Sequence, residues 1–335
     1  MKGKIISAIK YLLFLALGVG MLWLTFRNQD FSSLEEKIKT IKINWLIAAT
    51  VAAIISHLSR AARWAMLIEP LGYKPKLSNT FWALCVGYLA NLAVPRIGEI
   101  TRCGVLTKAE KVPFNELIGT VIVERIMDVI MLFILLVAVA AMQYHLIGDF
   151  LHQNIVQPLA GKFQNPVVLL VLAAGLVMMI VAVYFLFFRK REKSNPLLEK
   201  ITTLLKGVVD GIKSISKLKN IPLFIFHTVF IWAMYFLATW FCFFTLDATS
   251  HLSAVAGLFI LVAGGLGMSA PVQGGIGAFH YIVSRGLMLY GISETDGIIY
   301  ATISHGYQTL LLIVLGTIGF FVLMATSRKS KTDGL

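Results

Sequence analysis

The chain has 335 residues, of which 58% are hydrophobic and 14% charged, and its mean hydropathy is +0.80. This composition excludes a water-soluble globular protein, and successive apolar runs of about 20 residues predict an all-α polytopic membrane protein. The net charge of +13 does not indicate nucleic-acid binding, because most Lys and Arg lie in loops, as expected of cytoplasmic loops in a membrane protein.

Six apolar segments are predicted to cross the membrane completely, and two further segments are interrupted by Pro and Gly. The first span follows Lys2 and Lys4 but has no small-residue cleavage site, so it is predicted to be retained rather than removed as a signal peptide. The full spans are 5–26, 45–68, 115–143, 166–188, 221–246 and 297–326, and the interrupted segments are 79–107 and 250–292.

Loop charges predict that both termini are cytoplasmic. The loop 189–220 holds nine basic and three acidic residues, and segments 69–78 and 108–113 also carry Lys. Both ends of segment 79–107 therefore lie on the cytoplasmic side, and its 29 residues are too few for two crossings. A re-entrant hairpin that enters from the cytoplasm is predicted there.

The second interrupted segment, 250–292, is flanked by loops that lack Lys and Arg, so both of its ends are predicted to lie outside. Its centre reads SAPVQGGIGAF, which places helix breakers near the middle of the membrane. We predict a second hairpin that enters from outside. Two full crossings remain the alternative that its length permits.

The order span, span, hairpin, span occurs twice with opposite orientation, which is typical of transporters built from inverted repeats. The basic segment between the repeats has apolar residues at helical spacing and is predicted either as an amphipathic helix on the inner leaflet or as a solvated loop. The predicted divisions are a first repeat (1–143), an outer loop and span (144–188), the linker (189–220), the rest of the second repeat (221–326) and a cytoplasmic tail (327–335).

Ionisable residues inside membrane spans are costly and indicate functional sites. Helical spacing places several of them on faces that converge in the inner-leaflet half of the protein, where four or five Arg meet three acids. One or two Arg are left for a ligand, which suits a phosphate-bearing headgroup. The predicted substrate-binding residues are Arg60, Arg63, Asn91, Arg96, Glu99, Arg102, Glu124, Arg125, Asp128, Gln273, His280 and His305.

A structural role remains the alternative for these residues, since all of the charges can pair with one another between helices. The three cysteines form no CxxC pattern, and the sequence contains no HExxH, GxSxG or nucleotide-binding motif. We therefore predict no metal, no cofactor and no enzymatic activity.

Several short motifs, distributed along most of the chain, resemble those of a known family. They are Arg60-x-x-Arg63, Asn91-x-x-x-Pro95, Gly98-Glu99-x-x-Arg102, Glu124-Arg125-x-x-Asp128, and Pro271 followed by Gly274-Gly275-Ile276-Gly277. Over about residues 5–326 the chain resembles the membrane region of the lysyl-phosphatidylglycerol synthase family, also described as flippase-like or UPF0104-type membrane proteins.

The resemblance implies movement of a phospholipid between leaflets, and in the best understood relatives this lipid is an aminoacylated phosphatidylglycerol. Those relatives carry a soluble aminoacyl-transferase domain after the membrane region, whereas this chain ends nine residues past its last predicted span. We expect that it does not synthesise the lipid itself.

The predicted function is that of a flippase-like transporter in the cell (inner) membrane, which moves an anionic or aminoacylated phospholipid or a related lipid-linked headgroup. Three alternatives stay open: a small-anion secondary transporter, an intramembrane lipid-modifying enzyme, and a partner subunit for a separately encoded soluble lipid-modifying enzyme. The predicted binding partner is a membrane phospholipid and not a nucleic acid.

Overall fold

The computed structural model describes residues 16–27, 29, 37, 39–144 and 218–332, with side chains described as far as residue 325. The predicted span 166–188 and nearly all of the linker 189–220 lie outside the described residues. The chain divides into two compact units, Met1–Val139 with Ile215–Leu335, and Ala140–Ser214. Nearly all described residues belong to the first unit.

The described residues form helices and short turns and contain no strand. In chain order the helices are α1 (Ala16–Phe26), α2 (Ile43–Ile68), α3 (Leu77–Ala93), α4 (Gly98–Glu110), α5 (Phe114–Met142), α6 (Ile221–Phe243), α7 (Ala254–Ser269), α8 (Ala278–Met288) and α9 (Glu294–Thr332). Four of them, α2, α5, α6 and α9, are long and apolar enough to cross a membrane, so the protein is a multi-pass membrane protein, as its composition predicted.

The first interrupted segment consists of two helices, α3 and α4, that fold back on each other. Between them, Pro95 lacks an N–H group and Arg96 adopts a positive φ of 64°, so the helix cannot continue through this point. A Cβ atom on Gly98 would overlap the carbonyl oxygen of Gly87, so the two backbones are in close contact near the break. The sequence break thus coincides with a sharp turn.

The second interrupted segment has the same construction. Helices α7 and α8 are joined through a short 3-10 turn at Gln273–Gly275, and three glycines in and after this turn have positive φ, which is the region that favours glycine. A Cβ atom on Gly267 of α7 would lie 2.9 Å from the Cα of Phe279 in α8. These two helices therefore also pack face to face.

The turns of the two segments meet. A Cβ atom on Gly274 would lie 3.0 Å from Cδ2 of Leu92, near the end of α3. Elsewhere, α9 packs closely on α3 through Gly316 and Gly319, which face the carbonyl oxygens of Cys85 and Trp82. Helices α2 and α6 form the most extensive packing between any two described helices.

The side chain of Asn91 fixes the start of α4. Its Oδ1 accepts a hydrogen bond from the backbone N–H of Gly98 at 2.7 Å, one of the donors that a helix leaves without an internal partner. Asn220 does the same for α6, where its Oδ1 accepts from the N–H of Leu223 at 3.0 Å. Asn91 is half-buried, whereas the hydrogen bond of Asn220 is exposed.

We expect Asn91→Ala to lower the free energy of unfolding by about 1–3 kcal/mol, because it leaves the buried Gly98 N–H without an acceptor. The matched control, Asn220→Ala, should cost about 1 kcal/mol, because water replaces the lost acceptor. Denaturant unfolding in nanodiscs measures both. A smaller loss for Asn91→Ala than for Asn220→Ala would contradict the assigned role.

Candidate functional site

Seven of the predicted site residues meet in one group that joins α2, α4 and α5, and we call this group the ion-pair cluster. The members on α2 and on α4 are three positions apart, and on α5 one member lies three and four positions after the other two, which places these residues on the face of each helix that meets the others. The members are Arg60 and Arg63 of α2, Glu99 and Arg102 of α4, and Glu124, Arg125 and Asp128 of α5.

Glu124 is the centre of the cluster. Its side chain is fully buried and lies within ion-pair distance of three guanidinium groups. Arg60 Nε is 2.6 Å from Oε1, Arg102 Nη1 is 2.9 Å from Oε2, and Arg63 Nη2 is 3.6 Å from Oε1. One carboxylate therefore partly compensates the positive charges of three arginines.

Asp128, one helical turn further along α5, shares Arg60 and Arg63 with Glu124 and also lies near Arg125. Arg63 Nη2 donates to Oδ1 at 2.7 Å, Arg60 Nη2 donates to Oδ2, and Arg125 Nη1 lies 3.7 Å from Oδ2. Arg60 and Arg63 thus each contact both acids, so these charges form one connected network.

Helix α6 completes the shell around the two α2 arginines. Arg60 Nη1 donates to Tyr235 Oη at 3.0 Å, and Arg63 Nη1 lies 3.3 Å from Thr228 Oγ1. Sequence reasoning missed both partners. The rule that singled out polar residues inside the other spans would have found them, because Thr228 and Tyr235 lie seven residues apart on one face of an apolar helix.

Arg102 is held differently from the α2 arginines. Its guanidinium lies over the ring of Trp64, 4.5 Å from the centroid, and Trp64 Nε1 donates to Thr120 Oγ1 at 2.9 Å. Nε and Nη2 of Arg102 are buried and hydrogen bond to no group in the described part of the chain. Two donor nitrogens of Arg102 are therefore without a partner among the described residues.

One edge of the cluster is open. Arg125 Nη2 lies 2.6 Å from Glu99 Oε1, and these side chains are 42% and 23% exposed, in contrast to the buried pairs around Glu124. This pair connects α4 to α5. Together the cluster has four arginines and three acids, which leaves a formal charge of +1.

Asn91 and Arg96 lie at the turn next to this cluster without joining it. Asn91 binds the Gly98 N–H, and Arg96 is exposed and forms no ion pair with any residue that the structure describes.

His280 and His305 form a separate buried pair at the second turn, and Gln273 is buried in that turn next to Gly274. We call these three residues the histidine group. His305 Nε2 lies 2.8 Å from the carbonyl oxygen of Gly274, and the imidazole centroids of His280 and His305 are 5.0 Å apart. Among the described residues, no hydrogen bond or ion pair connects this group to the ion-pair cluster. Nor do three or more His, Cys, Asp or Glu side chains come together there as metal ligands.

Comparison with known proteins identifies a family for most of the chain and a relative for a shorter part of it. A family model described as "Lysylphosphatidylglycerol synthase TM region" matches residues 11–316. A UPF0104 membrane protein of Methanocaldococcus jannaschii is 32% identical over 100 residues, which are 28% of this chain and 30% of that protein. The aligned part is thus less than a third of the relative's length. No solved structure matches the sequence.

Proposed function

Because the chain belongs to the lysylphosphatidylglycerol synthase TM region family, we propose that it is a flippase-like transporter for a phospholipid headgroup. The observation that carries this proposal is a buried cluster of four arginines and three acids with one half-exposed edge. In this proposal the protein resides in the cell membrane with both termini in the cytoplasm.

The two interrupted segments act as re-entrant hairpins in this proposal. Helices α3 and α4 have 17 and 13 residues, or about 26 and 20 Å, and α7 and α8 have 16 and 11 residues, or about 24 and 17 Å. Each is shorter than the hydrocarbon core of about 30 Å. Irregular backbone at membrane depth is tolerated where protein or a water-filled cavity surrounds it, and here each turn lies against the other.

The contacts between helices support an inverted repeat. The second spans of the two halves, α2 and α6, pack against each other, and the last span of the second half, α9, packs on the first hairpin. A Cβ atom on Gly265 of the second hairpin would lie 3.4 Å from Cδ1 of Leu132, so α5 passes beside that hairpin. In transporters with this construction the substrate binds at the interface between repeats.

The charge of the cluster favours a headgroup with a phosphate. Guanidinium groups bind phosphate oxygens through paired hydrogen bonds, and Arg102 has two donors without partners. The net charge of +1 in a buried environment attracts an anion. A phosphodiester would thus compensate the charge that the acids leave over.

The surroundings of the open edge suit a lipid more than a free anion. Ile122 and Val129 lie one turn before and one turn after Arg125 on the same face of α5, and Ile100 follows Glu99 on α4. The side chains of Ile100, Ile122 and Val129 are all exposed. A headgroup would pass the Glu99–Arg125 pair while its acyl chains remain against this apolar surface.

Lipid exchange in proteoliposomes tests the proposal. The readout is movement of fluorescent phosphatidylglycerol and of its lysyl derivative between leaflets. We expect Glu99→Gln to slow exchange about tenfold, equivalent to about 1.4 kcal/mol of barrier, because it removes the acid that positions Arg125 at the open edge. Loss of this half-exposed pair should change the free energy of unfolding by less than about 1 kcal/mol.

The matched control is Glu294→Gln, which breaks an ion pair away from the cluster. In this pair Arg285 Nη2 lies 2.8 Å from Glu294 Oε1, and the two side chains are 46% and 38% exposed. It should leave exchange unchanged. Equal exchange in both variants and the wild type would assign the cluster a purely structural role. Absence of exchange by the wild type with either lipid would favour small-anion transport or the partner-subunit alternative.

A further inference from the structure

The histidine group has the features of an ion site rather than of a packing contact. His280, His305 and Gln273 are all more than nine-tenths buried, and His280 Nδ1 and Gln273 Nε2 have no hydrogen-bond partner among the described residues. Unpartnered buried polar atoms are rare and call for an explanation, such as a ligand. The ion-pair cluster does not use them.

The neutral form of His305 is defined by its partners. A carbonyl oxygen only accepts, so Nε2 carries the hydrogen that it donates to Gly274. Nδ1 is then the acceptor, with the hydroxyl of Thr309 at 3.5 Å. Each neutral imidazole has one basic nitrogen, and His280 Nδ1 has no hydrogen-bond partner among the described residues, so the pair offers two basic nitrogens, of which one at a time can carry a proton. Two imidazolium ions 5.0 Å apart in a buried site would repel each other strongly.

Among the described residues packed around the pair, no other side chain titrates near neutral pH. Helix α7 and the described part of α1 contain no titratable side chain, and α9 and α6 add Tyr300, Tyr307 and Cys242, which are neutral at this pH. On α8 itself, Arg285 is engaged by Glu294 at the exposed end of the helix, and Tyr281 is exposed.

From these contacts we propose that His280 and His305 form a proton-binding site and that one proton bound there is coupled to headgroup movement. The coupling rests on the proposed lipid transport, whereas the site does not. The sequence shows no site for ATP, so an ion gradient is a suitable energy source.

A short chain of contacts connects the site to the first hairpin. His305 binds Gly274, Gly274 lies against Leu92, and the neighbouring Asn91 fixes the start of α4, the helix that carries Glu99 and Arg102. A proton on His305 strengthens its hydrogen bond to Gly274, because charged donors form stronger hydrogen bonds. Loss of the proton weakens the attachment of the second turn to α9. Because α9 also packs on α3 through Gly316 and Gly319, the protonation state thereby biases whether the second turn stays beside the first hairpin.

The first experiment measures exchange of fluorescent phosphatidylglycerol by the full chain in proteoliposomes between about pH 5 and pH 8. We expect the wild-type rate to change about tenfold or more over this range. His280→Gln and His305→Gln should flatten the profile, and glutamine at position 305 still offers a donor to Gly274. The control His251→Gln alters an exposed histidine outside the group and should keep the wild-type profile.

The second experiment records the ¹⁵N NMR titration of histidine in the same protein in nanodiscs, which requires no transport. We expect one proton to bind to the pair, with the titration of each histidine altered when the other is replaced by Gln. If neither resonance titrates between about pH 5 and pH 8, the proton site is wrong. A pH-independent exchange rate in the wild type would overturn the coupling and leave the flippase proposal intact. If the wild type exchanges no lipid but the pair titrates, the proposed function fails and the proton site stands.

Discussion

Glu124→Gln is expected to lower the free energy of unfolding by about 3–5 kcal/mol, more than any other single replacement in the cluster. Glu124 is fully buried and lies next to Arg60, Arg63 and Arg102, which are themselves almost fully buried. The amide removes one negative charge, which leaves Arg60 and Arg63 with Asp128 and leaves Arg102 without an ion-pair partner among the described residues. Charges that stay buried without compensation are the physical cause of the loss.

Denaturant unfolding in nanodiscs measures this change. Glu116→Gln is the matched control, because it makes the same chemical change in the first turn of the same helix, α5, outside the cluster. The double variant Glu124→Gln/Arg102→Gln should lose less stability than the sum of the two single variants, because it removes one charge of each sign. A loss below about 1 kcal/mol for Glu124→Gln would indicate that water reaches these arginines.

A disulfide formed after Leu92→Cys and Gly274→Cys is expected to slow lipid exchange by at least about tenfold, as alternating access by rocking repeats requires the turns to separate. A Cβ atom on Gly274 would lie 3.9 Å from the Cα of Leu92, so the two Cα atoms are at most about 5.4 Å apart, within the range of disulfides. The native cysteines Cys85, Cys103 and Cys242 are buried, which shields them from an added oxidant.

Each single-cysteine variant serves as a control, and Gly274→Cys also reports the cost of a side chain at a φ of 56°. Exchange should recover when the oxidised double variant is treated with a reductant. Full exchange by the oxidised protein would show that the two turns move as one body or not at all, and would exclude their separation as a step in transport.

Membrane spans were the feature most readily predicted from the sequence, because apolar runs of this length have few stable alternatives to a helix in a bilayer. The predicted spans 45–68 and 115–143 correspond to helices Ile43–Ile68 and Phe114–Met142. The break at Pro95 was equally predictable, since proline removes a donor and the neighbouring glycine permits close packing. Helical spacing also indicated which charges share a face.

Contacts between distant parts of the chain could not be predicted in this way. Local periodicity does not reveal that Glu124 forms ion pairs with three arginines or that Asn91 accepts a hydrogen bond from the backbone of Gly98. Nor does it separate the histidine group from the ion-pair cluster, because that separation depends on how the two hairpins pack. Arg96 was predicted to bind substrate, and this stays a prediction; its side chain is exposed, at a turn residue of positive φ.

The sharing of charges in the cluster has an evolutionary consequence. Glu124 and Asp128 are each in contact with more than one arginine, so loss of charge at a buried member (Arg60, Arg63, Arg102 or Glu124) leaves another buried charge less compensated. Single replacements at these positions would be strongly selected against, even where the double replacement is tolerated. Among descendants of a common ancestor, these positions should therefore change together or not at all, while the exposed apolar positions around them drift independently.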